Sequence, residues 1–181
     1  SKCNGTLLTE MDGQPSLDLL QKVYEGLDGN DQRLVQTSLF LGIEMDPLKD
    51  NPQQGDFLIR NIMGTDRESG GIQVGAMLRE GQLVQFHLRD KDMSSEDLRL
   101  VLNRYKAKEN SKKAAGALLF SCLGRGQYLY GKPNHDSDMF RDQLGDIPLG
   151  GFFCNGEIGP VGKTTFLHGY TSSFGIFHPT H

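Results

Sequence analysis

The apolar residues of this chain come in short runs closed by glycine, a pattern that leaves little room for a helical bundle. Runs at 39–43, 57–62, 71–77, 83–88, 117–122 and 151–154 are each too short for a packed helix and each ends near a turn residue. Glycine is abundant, at 23 of 181 residues, and tryptophan is absent. Runs of this length, bounded by tight turns, predict strands. Alternation of Val84, Phe86 and Leu88 with Gln85 and His87 predicts a strand with one buried face.

Three stretches carry helical spacing instead. Pro15-Ser16 opens the first, with Ser16 as N-cap and Leu17, Leu20, Tyr24 and Leu27 on one face; it should stop near Gly26 or Gly29. Ser94 caps the second, with Asp97 three residues on and Leu98, Val101, Leu102 and Tyr105 as its buried face. Lys106, Lys108, Lys112 and Lys113 crowd its end, where they suit the helix dipole better than an anion site. Asn134 to Asp138 cap a third, carrying Met139, Phe140 and Leu144.

The connections follow from turn chemistry. A first strand over 6–11 meets a turn at Asp12-Gly13, Glu80-Gly81 reads as a hairpin turn, and 66–70 reads as another. Residues 28–35 and 47–55 read as polar loops, the middle of the chain as an antiparallel meander, and 164–168 with 171–177 as a closing pair of strands. The expected fold is one α+β domain over 1–181, a mostly antiparallel sheet with two or three packed helices.

Charge and motifs narrow the function. The net charge is −4, with both signs scattered and no basic stripe, which argues against nucleic acid. No apolar run reaches the roughly 20 residues of a membrane span. Ser1-Lys2-Cys3-Asn4 shows no leader pattern. Cys3, Cys122 and Cys154 fit neither zinc spacing nor a disulfide framework, so thiols in a reducing cytoplasm are expected. His87, His135, His168, His178 and His181 form no HxH or HExxH pair, and no metal site is expected; His178 and His181 read as passive residues of a frayed end. Gly162-Lys163-Thr164 has the ending of a phosphate loop, but Glu157 stands where the earlier glycine is required, so nucleotide hydrolysis is rejected.

Residues 115–160 concentrate the candidate chemistry. The two apolar runs there end in Cys122-Leu123-Gly124-Arg125-Gly126 and Asn155-Gly156-Glu157-Ile158-Gly159, each a single charge bracketed by glycines. Arg125 offers a planar fork of donors that matches a carboxylate or phosphate. It could equally pair with Asp136 or Asp138. Glu157 could accept from an amine or hydroxyl, or simply occupy a turn. Together they could bind the two ends of an amino acid, or salt-bridge each other. Cys122 as a nucleophile would need a base such as His135 or His168; a small buried thiol is the commoner outcome, and no enzymatic activity is expected.

The same stretch resembles the C-terminal half of the FIST family (F-box and intracellular signal transduction proteins). The matching pieces are Gly116-Ala117-Leu118-Leu119, Ser121-Cys122, Gly124-Arg125, Gly151-Phe152-Phe153, Gly156 through Pro160, His168 and Thr171. Asp12-Gly13-Gln14-Pro15, Arg60 and Glu80-Gly81 fit the pattern upstream. The resemblance implies a small-ligand-binding sensory domain of intracellular signal transduction, with a small anionic or amino-acid-like ligand at Cys122, Gly124, Arg125, Gly156, Glu157 and His168. It implies an N-terminal FIST half preceding this one in a longer protein, and in bacteria a signalling kinase or cyclase as partner. In eukaryotes the family occurs in F-box proteins. Two alternatives accompany it. One is a structural or protein-interaction domain without a ligand. The other is a haem-binding gas sensor, with His168 as the axial ligand to test first.

Overall fold

The computed structural model describes residues 1–108, 114–161 and 163–179; Lys112, Lys113, Gly162 and His181 lie outside them. The chain divides into two compact units, Ser1–Asp90 and Lys91–His181. The fold is α+β, as the short glycine-closed runs predict.

The first unit is an antiparallel sheet with two helices. Its strands are β1 (Lys2–Asn4), β2 (Leu7–Met11), β3 (Gln14–Pro15), β4 (Leu39–Glu44), β5 (Phe57–Asp66), β6 (Gly71–Val74) and β7 (Val84–Leu88), in the order β1-β2-β6-β5-β4-β7 with β3 on β2. Asp12 (φ 50°) and Gly13 (φ 75°) both take the left-handed region and join β2 to β3, as expected of a tight hairpin. The buried core is Leu8, Met11, Leu41, Ile43, Ile72, Val74 and Leu78, with Leu19 and Leu20 packed against it. Both leucines come from α1 (Ser16–Gly26), which ends where the glycine signal placed it.

Three expectations for this unit need correction. Ser16 is the first helical residue and not the cap; Pro15 holds the cap position, and the Ser16 hydroxyl is buried without a hydrogen-bond partner among the described residues. The 28–35 loop is the start of α2 (Gly29–Ser38), because the Asp28 carboxylate accepts from the backbone N–H groups of Asn30 and Asp31 at 2.8 and 2.9 Å. No residue of α2 is buried, so an apolar stripe never announced it. Glu80-Gly81 is a turn but not a hairpin. The strands on either side of it, β6 and β7, are not neighbours, and β7 pairs with β4 instead.

The second unit begins with α3 (Lys91–Lys108), one turn earlier than Ser94 suggested. Then come β8 (Gly116–Cys122), the short α4 (Gln127–Tyr130), α5 (His135–Leu144), β9 (Leu149–Cys154), β10 (Glu157–Val161), β11 (Thr164–His168) and β12 (Ser172–Phe177). The central sheet runs β12-β8-β9, with β12 antiparallel and β9 parallel to β8. The expected closing pair does not form: β11 folds back on β10, and β12 joins β8. Leu98 and Leu102 of α3 and Phe140 of α5 pack with Ala117 under this sheet, with Met139, Leu144, Leu149, Phe174 and Ile176 around them. Val101, expected in that core, is 43% exposed. His178 is not passive: its Nε2 meets the Tyr105 hydroxyl at 2.7 Å.

Candidate functional site

Parallel pairing of β8 with β9 puts the two glycine-bracketed charges at neighbouring strand ends, with Cys122 opposite Cys154. The close pairing rests on Gly151. It has φ 154°, and a Cβ there would sit 1.9 Å from the Leu119 carbonyl oxygen. Both charges are buried, Arg125 at 6% exposure and Glu157 at 1%.

Arg125 does not meet Glu157. Its Nε and Nη2 donate to the two oxygens of Asp136 at 2.8 and 3.0 Å, and Nη2 also donates to the Tyr130 hydroxyl. Asp136 collects further donors: the Ser172 hydroxyl at 2.7 Å, the Ser121 hydroxyl at 3.3 Å and His135 Nδ1 at 3.0 Å. With Nδ1 donating to the carboxylate, a neutral His135 ring accepts from the Ser95 hydroxyl through Nε2, at 2.7 Å. The ring stacks on Tyr130, centroids 3.4 Å apart. Burial alone would raise Asp136, but Arg125 first, then His135 and Ser172, hold its carboxyl down to about 2. Burial alone would lower Arg125, and Asp136 more than reverses it. Ser95, His135 and Asp136 thus have the hydrogen-bond order of a nucleophile relay, yet the carboxylate is already neutralised by a bidentate guanidinium.

Glu157 belongs to a different cluster. Its Oε2 accepts from the Thr171 hydroxyl at 3.0 Å and backbone N–H at 3.4 Å, and its Oε1 from the Cys154 thiol at 3.5 Å. Strand pleating explains the separation. Ser121 and Ser172 are register partners whose side chains reach Asp136. The next residues along, Cys122 and Thr171, point the opposite way. Arg125 is therefore served from one face of the sheet and Glu157 from the other.

On the Arg125 side lies a cleft of about 400 Å³. Leu119, Leu149, Phe152, Phe153 and Pro133 give it apolar walls, and Gln127, Asn134, Ser137 and the edges of His135 and Asp136 supply polar atoms. Gly126 (φ 62°) lets the Phe153 ring close on the backbone, since a Cβ there would lie 2.9 Å from the ring.

The remaining predicted residues are placed as follows. Cys122 is buried, and neither suggested base serves it: both His135 nitrogens are engaged by Ser95 and Asp136, and His168 Nε2 donates to the Gly159 carbonyl at 3.0 Å. That bond also bears on haem. A metal-bound histidine commonly donates its other ring N–H to a backbone carbonyl, so with Nε2 donating to Gly159 the nitrogen of His168 left for iron is Nδ1. Gly156 abuts Leu167 on the hairpin, and Gly124 precedes Arg125 in the β8–α4 turn. Sequence reasoning gave the cleft-lining aromatics Phe152 and Phe153 no binding role, and it named Asp136 as a partner for Arg125 and a helix-capping residue. The signal available was the run Asn134-His135-Asp136-Ser137, four polar residues opening a helix directly after a proline.

Comparison with known proteins identifies the family. The family model described as the FIST C domain matches residues 16–160. Two uncharacterised proteins of Mycobacterium tuberculosis are 41% and 42% identical to the chain over 174 residues, 96% of its length and 45% of theirs. An F-box/LRR-repeat protein of Arabidopsis thaliana is 27% identical over 95% of the chain and 37% of its own length. The chain thus spans less than half the length of the relatives it matches.

Proposed function

This chain belongs to the FIST C domain family, and we propose that its second unit is a small-ligand-binding sensory module whose ligand enters the cleft between β9 and the start of α5. The observation that carries this reading is the cleft itself. Its volume of about 400 Å³ falls within the usual range of small-molecule sites, and its walls are mainly apolar with a few convergent polar groups.

The geometry shifts the ligand away from the anion that Arg125 suggested. Arg125 is committed to Asp136 and does not line the cleft. The cleft favours a neutral or weakly polar molecule with a flat apolar body against Phe152 and Phe153 and a hydrogen-bonding group near Asn134 and Ser137. Arg125 serves as a positioning residue, holding Asp136 and with it the first turn of α5. The module would report to the N-terminal half of a longer cytoplasmic protein, and in bacteria to a kinase or cyclase.

A second reading has its own observation. The Arg125–Asp136 bridge ties the end of β8 to α5, as a latch in a structural or protein-interaction domain would. A thermal-shift screen separates the two, using amino acids, small organic acids, neutral aromatics and haem. At a hundred times its dissociation constant a ligand stabilises by about 2.7 kcal/mol, roughly 2–4 °C per kcal/mol for a chain of this size. The sensory reading expects a hit that disappears in Phe153→Ala while the unliganded melting temperature holds. Silence across the panel, or a hit indifferent to Phe153→Ala, overturns it and leaves the latch.

A further inference from the structure

Cys122 and Cys154 are directly opposed in the parallel register of β8 and β9. Residues opposed in this way project from the same face of the pleat, and strand spacing holds their Cα atoms about 4.8 Å apart. A disulfide spans Cα separations of about 4.4–6.8 Å. Both thiols are free. They differ in access, Cys122 being buried and Cys154 half-buried with its thiol donating to Glu157 Oε1 and lying 3.6 Å from the Ser121 carbonyl oxygen.

We propose that Cys122 and Cys154 are a reversible thiol–disulfide pair that responds to a low-molecular-weight disulfide such as oxidised glutathione. Cys154, the more accessible, attacks as the thiolate. Its sulfur bonds to one sulfur of the oxidant, the oxidant's S–S bond breaks, and one glutathione thiolate departs. Cys122 then attacks the Cys154 sulfur of this mixed disulfide and expels the second glutathione. Two electrons pass from the cysteines to the oxidant, and their two protons end on the two released thiols. Burial, reinforced by the neighbouring Glu157, pushes the Cys154 thiol up, so the first step is slow at neutral pH and quickens as pH rises.

The bond would change both faces of the sheet. Glu157 loses the Cys154 thiol as a donor and keeps the hydroxyl and backbone N–H of Thr171. Ser121 and Phe153, each one residue before a bridged cysteine, line the cleft. Oxidation therefore pulls on two cleft walls at once, a regulatory consequence that rests on the cleft being a binding site; the disulfide itself does not.

The test is direct. The folded chain is incubated with mixtures of oxidised and reduced glutathione at mildly alkaline pH, quenched with acid, alkylated, digested and read by mass spectrometry. The expected result is a linked pair of peptides joining Cys122 to Cys154, in the wild type and in Cys3→Ser, absent from Cys122→Ser and Cys154→Ser, and reversed by excess reduced glutathione. Circular dichroism checks that the fold persists. Three outcomes overturn the proposal: both thiols unmodified, Cys154 glutathionylated with Cys122 still free, or linkage only in urea. None depends on a ligand, so a failed thermal-shift screen leaves this result standing, and the reverse also holds.

Discussion

Replacing Asp136 by Asn tests the buried network most severely. The substitution keeps the size of the side chain and removes its charge. Arg125, 6% exposed, then loses its counter-charge and one of its two acceptor oxygens, at 2.8 and 3.0 Å, faces an amide NH2 in place of the other, and keeps its own charge inside the protein. Breaking one partner of a buried ion pair costs about 3–5 kcal/mol, most of it from the stranded charge. Ser172 and His135 Nδ1 also lose an anionic acceptor, so the upper part of that range is expected. In urea the unfolding midpoint should fall by about 2 M, for slopes of about 1–3 kcal/mol per M, followed by circular dichroism. Arg125→Met should cost a similar amount, since it strands the carboxylate instead. The double variant removes both charges and should fall short of the sum of the singles by about 1–3 kcal/mol. A cost below about 1 kcal/mol for Asp136→Asn, or strict additivity in the double variant, would refute the account of a desolvated, mutually dependent pair.

Two further outcomes follow from the same geometry. The Asp136 carboxyl is depressed from 3.8 to about 2 in the folded chain. A depressed acid stabilises the fold above its unfolded pKa and loses that contribution as pH falls through the folded one, so wild type should shed about 2 kcal/mol between about pH 4 and pH 2. Asp136→Asn should lack that component of acid destabilisation, which matched urea melts at the two pH values would read; an identical loss in both proteins would contradict it. Gly151→Ala should destabilise the second unit by more than about 2 kcal/mol, because its Cβ meets a backbone carbonyl at 1.9 Å and no side chain can yield; a melting temperature unchanged from wild type would sink that reading of the β8–β9 pair.

Legibility varied with the length over which each feature is encoded. Strands β4 to β7 and the core of the second unit could be read because run length and alternation are local. The starts of α1 and α3 were misplaced because serine is a good cap only where its neighbours leave the helix, and Ser16 and Ser94 stay inside theirs. Helix α2 was illegible for a different reason. None of its residues is fully buried, and its one strong signal is Asp28, a single side chain. Strand pairing was the weakest inference. Nothing within 164–177 says that its two strands should part company, since the partners that claim them lie at 157–161 and 116–122. The candidate site shows the same division. Arg125 and Glu157 stood out as charges among glycines, but which face each would serve depends on the pleat, and the cleft aromatics looked like ordinary strand residues.

That the two charges face opposite ways has a consequence for signalling. A ligand in the proposed cleft site would touch the Arg125 side through α5 and β9, while Glu157 sits behind the sheet with Thr171 and the β10–β11 hairpin. The residues that link the two sides are the neighbours Ser121–Cys122, Phe153–Cys154 and Thr171–Ser172, each a pair with one member on each face. A shift of β9 by a fraction of an ångström alters cleft contacts at Phe153 and the Cys154–Glu157 contact together, because adjacent residues on a strand cannot move independently. If the cleft binds a ligand as proposed, the sheet would be the coupling element, with an occupied cleft in front and a changed carboxylate environment behind as two readouts of one displacement. The coupling holds in reverse as well, since any partner that binds differently when Glu157 is rearranged must, by linkage, alter ligand affinity in the cleft by the same factor.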